Sequence, residues 1–322
     1  MSLGKIVVAI KALEDSQRQM IRETAEKLGY SIVFCDDSAE AAREAQDAEI
    51  SYSYDSSLGA KAPGLKWFHA ASAGVDNFLK PGALPLDCLL SNSAGAYGVA
   101  VSEHGVTLTL MLLRRIPDYM ENVRAHIWRA DLPVKSLTGS RITVLGTGDI
   151  GGNYAKRVRG FAPECIIGVN RSGQVREEGV FDRVIPQDQL SEVLPETDIL
   201  FMALPGTRDT LKMLDAEKIA LLPEHAIVVN VGRGNSIDQT ALVEALNEGR
   251  IAGAGLDVFE VEPIPEGDPA WTAKNLLITT HTAGQMTLVN TRNKNAQMFC
   301  EDLKNYSEGR TLRHLVDRAL GY

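Results

Sequence analysis

The run Arg141-Ile-Thr-Val-Leu-Gly146-Thr147-Gly148-Asp149-Ile150-Gly151 limits the fold of this chain more than any other stretch of it. Residues 142–145 read as a strand, and the glycine spacing that follows demands a turn and then a helix. Each glycine has a separate task. Gly146 makes the tight turn, Gly148 lets the backbone approach a diphosphate, and Gly151 lets helix and strand pack closely. Helix N-terminal amides carry free N–H groups and the positive end of the helix dipole, so the diphosphate rests there. Glycine spacing alone marks only a glycine-rich turn. With a strand before it and a helix after it, the motif predicts a dinucleotide site built from Gly146, Gly148, Asp149, Ile150 and Gly151.

Such a site normally carries an acid at the end of the next strand, about 20 residues on, to hold the ribose 2′-hydroxyl. Here the strand Ile166-Ile-Gly-Val169 runs into Asn170-Arg171-Ser172. A carboxylate would repel a 2′-phosphate, whereas neutral Asn170, Arg171 and the Ser172 hydroxyl can hold one through charge-assisted hydrogen bonds. The expected cofactor is therefore NADP. The alternative is NAD, with Arg171 a solvated arginine lying on the adenine.

The rest of the chain alternates strand-like and helix-like segments. Ile6–Ile10, Ser31–Cys35, Ile50–Tyr54, Trp67–Ala70 and Leu89–Ser91 are strand candidates in the first hundred residues, with helices over 14–28 and 39–48. A long helix is expected over 99–113, ending near Arg114–Pro117. Beyond the glycine motif, Ile199–Ala203, Ile227–Val231, Ala252–Leu256 and Leu276–Thr279 are more continuously apolar, as in a parallel sheet covered on both faces. The predicted class is α/β with two doubly wound parallel-sheet domains. A Rossmann cofactor domain (99–289) is expected to be inserted into a flavodoxin-like substrate domain (1–98 plus 290–322).

Composition removes whole classes of function. The chain has 322 residues, 33 of them Lys or Arg and 42 Asp or Glu, for a net charge of −9. This balance argues against nucleic acid or an anionic membrane as partner. Cys35, Cys88, Cys165 and Cys300 are widely spaced and form no CxxC pair, so neither a disulfide framework nor a zinc site is expected, and a reduced compartment is. The apolar run near the start is five residues long, too short for a signal peptide, and Glu103 and His104 interrupt the stretch 98–113. A cytoplasmic location follows as an expectation, with no metal.

Three segments each place a reactive residue just beyond an apolar strand. Asn230-Val-Gly-Arg233-Gly follows 227–229, Asp257-Val-Phe-Glu-Val-Glu262-Pro follows 252–256, and Thr279-Thr-His281-Thr-Ala-Gly284 follows 276–278. Taken singly, each has a plain reading as a solvated arginine, a loop charge and a structural histidine. Ligands of open α/β sheets bind outside the carboxyl ends of the strands, so all three can share one crevice.

With these segments in order, the chain resembles the D-isomer-specific 2-hydroxyacid dehydrogenase family. Leu204-Pro205-Gly-Thr207-Arg-Asp-Thr210 is similar to the family's LPxTxxT segment. Gly232-Arg233-Gly234 with Asp238, Glu262-Pro263 and His281-Thr-Ala-Gly284 resemble its later motifs, and Ser72-Ala-Gly-Val-Asp76 its substrate loop. Departures are Asn170 in place of an acid, Thr280 where Pro usually precedes the histidine, and Ser102 in place of Ala.

The resemblance implies a hydride transfer between NAD(P)H and a small 2-oxoacid or D-2-hydroxyacid, such as glyoxylate or hydroxypyruvate. Arg233 would orient the substrate carboxylate and carbonyl, His281 would act as acid and base, and Glu262 would raise the histidine pKa. Backbone amides of Ala73, Gly74 and Val75 would bind the substrate carboxylate. Leu204, Pro205, Thr210, Val231, Asp257 and Gly284 would contact the cofactor, Asp257 at the nicotinamide amide. Tyr54, Tyr97 and Trp271 are candidate pocket walls, and His69 and His104 are read as structural or rim residues. A homodimer through the 98–113 helix and the 119–134 segment is also implied. Two other readings share the fold: a formate-dehydrogenase-like oxidation, in which Gln replaces the Glu, and a dinucleotide-sensing corepressor-like scaffold.

Overall fold

A computed structural model describes residues 4–175 and 177–322. In chain order its first elements are β1 (Lys5–Ala9), α1 (Asp15–Lys27), β2 (Ser31–Phe34), α2 (Ser38–Glu44), β3 (Ile50–Ser53), α3 (Ser57–Ala60), β4 (Trp67–Ala70) and β5 (Leu89–Asn92). There follow α4 (Gly98–Leu113), α5 (Ile116–Arg124), β6 (Arg141–Leu145), α6 (Asp149–Arg159), β7 (Cys165–Asn170), β8 (Arg183–Pro186), α7 (Leu190–Val193) and β9 (Ile199–Met202). The remainder comprises α8 (Ala216–Leu221), β10 (Ile227–Asn230), α9 (Gln239–Asn247), β11 (Gly253–Leu256), β12 (Leu276–Ile278) and α10 (Val289–Ser307). Two compact units result, Met1–Tyr97 with Gln285–Tyr322, and Gly98–Gly284.

The first unit is a parallel sheet in the order β2-β1-β3-β4-β5, with α10 returning to it from the end of the chain. Side chains alternate across the strands, so Ile6, Val8, Ile50, Tyr52 and Trp67 pack with Phe299 on one face. Val7, Phe68 and Leu90 pack with Ala41, Leu58 and Phe78 on the other. Phe299 stacks on Tyr52 at 4.4 Å and on Trp67 at 5.3 Å, and Tyr306 stacks on Trp67 at 5.4 Å. Helix α10 is thereby fixed to β3 and β4 by aromatic area as well as hydrogen bonds.

A polar network threads this core without leaving a member unsatisfied. The Asn295 amide oxygen accepts from Tyr52 at 2.5 Å and Ser93 at 2.8 Å, and its nitrogen donates to the Ala71 carbonyl at 2.8 Å and Tyr97 at 3.0 Å. The Ser93 hydroxyl has its proton committed, so it accepts from Nε2–H of His69 (3.1 Å). His69 Nδ1 then takes the Ser91 proton at 2.6 Å, and Ser91 accepts from the Trp67 indole at 2.8 Å. One neutral tautomer is selected. Burial pushes the His69 pKa down to about 3, with Asp302 opposing the fall and His314 adding to it.

The second unit is a parallel sheet in the order β12-β11-β10-β9-β6-β7-β8, whose order reverses between β6 and β9. One face buries Leu145, Ile167, Leu200, Val228 and Leu256 together. On the other, Tyr154 of α6 stacks on Phe201 of β9 at 3.7 Å and reaches Thr109 of α4 at 3.0 Å. Both sheets are parallel throughout, as the strand alternation predicts.

Two elements differ from the sequence reading. Pro117, read as part of a helix stop, lies in the first turn of α5: Arg115 adopts a left-handed φ of 54° between α4 and α5, and proline is well suited to the first turn of a helix. Strand β8 went unread because four residues with Arg at one end and Pro at the other make a weak strand signal; it pairs only at the sheet edge, where proline is tolerated. Among the described residues no helix is long and apolar enough to cross a membrane, and no three His, Cys, Asp or Glu side chains gather as metal ligands.

Because Asn295 serves four buried partners, Asn295→Leu should destabilise the first unit by about 3 kcal/mol, through donors and acceptors left unpaired. Urea unfolding followed by Trp67 fluorescence checks this; an unchanged midpoint would discount the network's contribution.

Candidate active site

The site in the second unit begins at the turn after β6. Gly146 has φ 95°, and a Cβ there would lie 2.6 Å from the Ala203 carbonyl. A Cβ on Gly151 would lie 1.9 Å from the Gly146 carbonyl, so α6 can seat on the turn only without a side chain at this position. A Cβ on Gly148 would meet nothing within 4 Å. This open cradle at the N-terminus of α6, where the first amides lack intrahelical acceptors, fits a dinucleotide diphosphate.

At the end of β7 the structure gives Asn170 a different task from direct phosphate contact. Its Nδ2 donates to Thr147 Oγ1 at 2.8 Å and to the Gln174 carbonyl at 2.9 Å. Its Oδ1 accepts from the amides of Ser172 (3.1 Å) and Gly173 (2.7 Å). Asn170 therefore shapes the loop and ties it to the glycine turn, while exposed Arg171 and Ser172 are presented by it. Gly173, at φ 67° and pressed against Pro186, fits the same tight bend.

The loops after β9, β10 and β11 meet through glycines. A Cβ on Gly232 would lie 2.5 Å from the Leu204 amide, and one on Gly234 would lie 1.9 Å from the Phe259 backbone. Buried Asn230 clamps the Arg233 carbonyl at 2.9 Å and the Gly232 amide at 3.0 Å, fixing where the arginine begins. Leu204 and Val231 are buried at this junction. The Thr210 hydroxyl closes its own loop on the Pro205 carbonyl at 2.6 Å, and Thr207 donates to it at 2.9 Å.

His281 and Glu262 form a dyad. His281 Nδ1 lies 2.6 Å from Glu262 Oε2, while Oε1 of the same carboxylate accepts the Phe259 amide at 2.9 Å. The hydrogen bond to Glu262 raises the His281 pKa, burial and Arg233 oppose it, and the Glu262 and Asp257 charges add to the rise. Burial pushes Glu262 up, but His281, the Phe259 amide and Arg233 outweigh it and hold the carboxyl below its ordinary value. Arg233 acts electrostatically on both partners, so all three residues named from the sequence come together. With Nδ1–H spent on the carboxylate, His281 offers Nε2 as its exchangeable position.

Asp257 is 1% exposed. Its carboxylate accepts from Thr279 Oγ1 (2.6 Å), the Thr282 amide (2.9 Å) and the Ala283 amide (3.1 Å), next to Gly284. Trp271 is 48% exposed, with its indole on the Pro265 carbonyl, so it is not a core residue.

Within the first unit, the loop named as substrate-binding is held by its carbonyls. Ser93 donates to the Ser72 carbonyl, Asn92 to that of Ala73 at 2.7 Å, and Ser72 to that of Gly74 at 2.6 Å. The amides of Ala73, Gly74 and Val75 find no protein acceptor among the described residues. Tyr54 donates to Tyr97 at 2.7 Å, and Tyr97 donates to the Ala71 carbonyl just before the loop.

Comparison with known proteins points one way. Residues 106–283 match the model of the NAD-binding domain of D-isomer-specific 2-hydroxyacid dehydrogenases. A glyoxylate reductase of Korarchaeum cryptofilum is 31% identical over 82% of this chain and 80% of its own. A D-isomer-specific 2-hydroxyacid dehydrogenase family protein from Aeromonas salmonicida superposes with a TM-score of 0.87 at 30% identity, covering 98% of this chain and 100% of its own. An NADPH-dependent glyoxylate/hydroxypyruvate reductase from Sinorhizobium meliloti, solved with NADP and sulfate, gives 0.81 at 25% identity and covers both chains fully.

Removing the Glu262 charge should lower the His281 pKa. NMR titration of the His281 ring in Glu262→Gln checks this, with a midpoint below that of the parent expected and an unmoved one counting against the dyad.

Proposed function

The chain belongs to the D-isomer-specific 2-hydroxyacid dehydrogenase family, and on that footing we propose that it is an NADPH-preferring reductase of a small 2-oxoacid such as glyoxylate or hydroxypyruvate. The observation that carries this reading is the dyad of His281 and Glu262 beside Arg233, at the carboxyl ends of strands next to an open glycine cradle. When bound, the reduced nicotinamide supplies a hydride to the carbonyl carbon. Gly146, Gly148, Asp149, Ile150 and Gly151 hold the diphosphate, with Leu204, Pro205, Thr210, Val231, Asp257 and Gly284 along the cofactor. Arg171 and Ser172 hold the 2′-phosphate, on a loop set by Asn170.

Arg233 offers a planar fork of donors that orients the 2-oxoacid and polarises its carbonyl. The amides of Ala73, Gly74 and Val75 are assigned to the substrate carboxylate. His281 gives its Nε2 proton to the carbonyl oxygen and is left neutral, so carbon gains the hydride and oxygen the proton. In the reverse direction the same nitrogen removes it. A formate-type oxidation moves no such proton, and Glu262 poised on His281 favours the 2-oxoacid chemistry over it.

Exposed Ile116, Met120 and Val123 of α5 share one helical spacing, and Ile127 and Trp128 follow, Trp128 96% exposed. We assign this apolar arm to a second copy of the chain, as a homodimer, which sedimentation measures directly.

Oxidation of NADPH by glyoxylate, hydroxypyruvate, pyruvate and bulkier 2-oxoacids tests the function; no turnover with any of them would favour a cofactor-sensing scaffold. His281→Ala should lower kcat by about 10³-fold with NADPH affinity nearly unchanged. The protonated histidine is needed for reduction, so the rate falls as pH rises through its pKa, and Glu262→Gln should move this limb to lower pH. Asn170→Asp keeps the acceptors for Ser172 and Gly173 but sets a negative charge beside the 2′-phosphate. It should cut the NADPH-to-NADH preference at least about tenfold, and an unchanged ratio would remove the NADP assignment.

A further inference from the structure

His104 of α4 is joined to the His281 loop by a chain of two hydrogen bonds. Its Nε2 lies 2.9 Å from Thr279 Oγ1, and Thr279 Oγ1 donates to Asp257 Oδ1 at 2.6 Å. A hydroxyl has one proton. Thr279 spends it on the carboxylate, so its oxygen accepts from His104, which must carry its hydrogen on Nε2. The same nitrogen stands 3.6 Å from Asp257 Oδ1.

What this chain holds is the backbone that carries His281. Asp257 accepts the amides of Thr282 and Ala283 on its carboxylate and the His281 amide on its carbonyl at 2.8 Å. His281 itself sits at φ 54°, a left-handed conformation uncommon for a residue with a side chain. Thr280 puts no proline ring there to stiffen the loop.

The depth of α4 makes the reach possible. A Cβ on Gly105 would come within 2.5 Å of the Phe201 ring, and one on Gly255 within 3.2 Å of Leu108 Cβ, so the helix lies hard against β9 and β11. A buried carboxylate is stable only with its acceptors filled, and among the described residues Thr279 supplies the one side-chain hydroxyl that donates to Asp257. Its orientation depends on the donor behind it.

We propose that His104 is a positioning residue for the reaction: through Thr279 and Asp257 it holds residues 279–283 in the shape that aims His281 at the substrate. This rests on the reading of His281 as the acid. His104 touches neither substrate nor cofactor in this role; it acts by keeping the Thr279 hydroxyl turned toward Asp257.

Single-turnover oxidation of NADPH by a reducible 2-oxoacid tests it. His104→Leu removes the donor and should slow the step about tenfold, with the KM for NADPH within about twofold of the parent, since small displacements of a reacting group are costly. His104→Gln places an amide N–H near the position of Nε2 and should restore most of the rate. Thr279→Val breaks the same chain from its other end and should reproduce the Leu defect, which keeps the test open if His104→Leu does not fold. Parent-like rates in the Leu or Val variant would overturn the inference, as would equal impairment in Leu and Gln with both cooperatively folded. His281→Ala separates the two levels: if it abolishes turnover while His104→Leu keeps the parent rate, the positioning role alone falls. If His281→Ala retains turnover, the reading beneath it falls too.

Discussion

Parallel pairing governs everything the second unit can do. With β12, β11, β10, β9, β6, β7 and β8 all running the same way, every strand delivers its carboxyl end to one edge. Asn170 ends β7, and Leu204, Val231, Asp257 and Thr279 each follow within two residues of a strand end, although 109 positions separate the first from the last. Side chains from a long stretch of chain thus come within reach of one another without any long loop to carry them. Glycines at 146, 151, 232 and 234 then let those strand ends approach more closely than side chains would allow.

The site resolves into two separate kinds of electrostatic work. At His281 and Glu262, a half-exposed pair keeps opposite charges favoured in both partners, which is the state an acid needs before it gives up a proton. At Asp257 the carboxylate is sealed from water and committed to hydrogen bonds, so it sets backbone shape. Two acids lie close in sequence, yet one tunes a proton and the other builds a loop. Burial decides between them.

Much of this was legible in the sequence, for definite reasons. The glycine motif, the apolar strands and the residues just past them are local patterns, and parallel topology turns those patterns into convergence. What escaped were features fixed by partners distant in sequence. Asn170 reads as a phosphate ligand until Thr147 and Gln174 are seen to occupy its amide. Nothing near His104 in sequence points to Thr279, 175 positions away. Strand β8 and helix α5 escaped for a different reason, since Pro186 and Pro117 carry opposite meanings at an edge, a helix stop and a helix start. The family resemblance named Arg233, Glu262 and His281 as candidates; the geometry of their supports depends on contacts that no local pattern carries.

The aromatic stack on α10 makes the first unit optically distinct. Of the chain's three tryptophans, Trp67 is fully buried between Phe299 and Tyr306, while Trp128 and Trp271 are 96% and 48% exposed. The most blue-shifted emission from this chain therefore reports on the first unit, and Trp128 contributes a red background that barely changes on unfolding. The blue edge of a fluorescence melt follows the sheet that α10 completes, and the cofactor-binding sheet needs a separate probe.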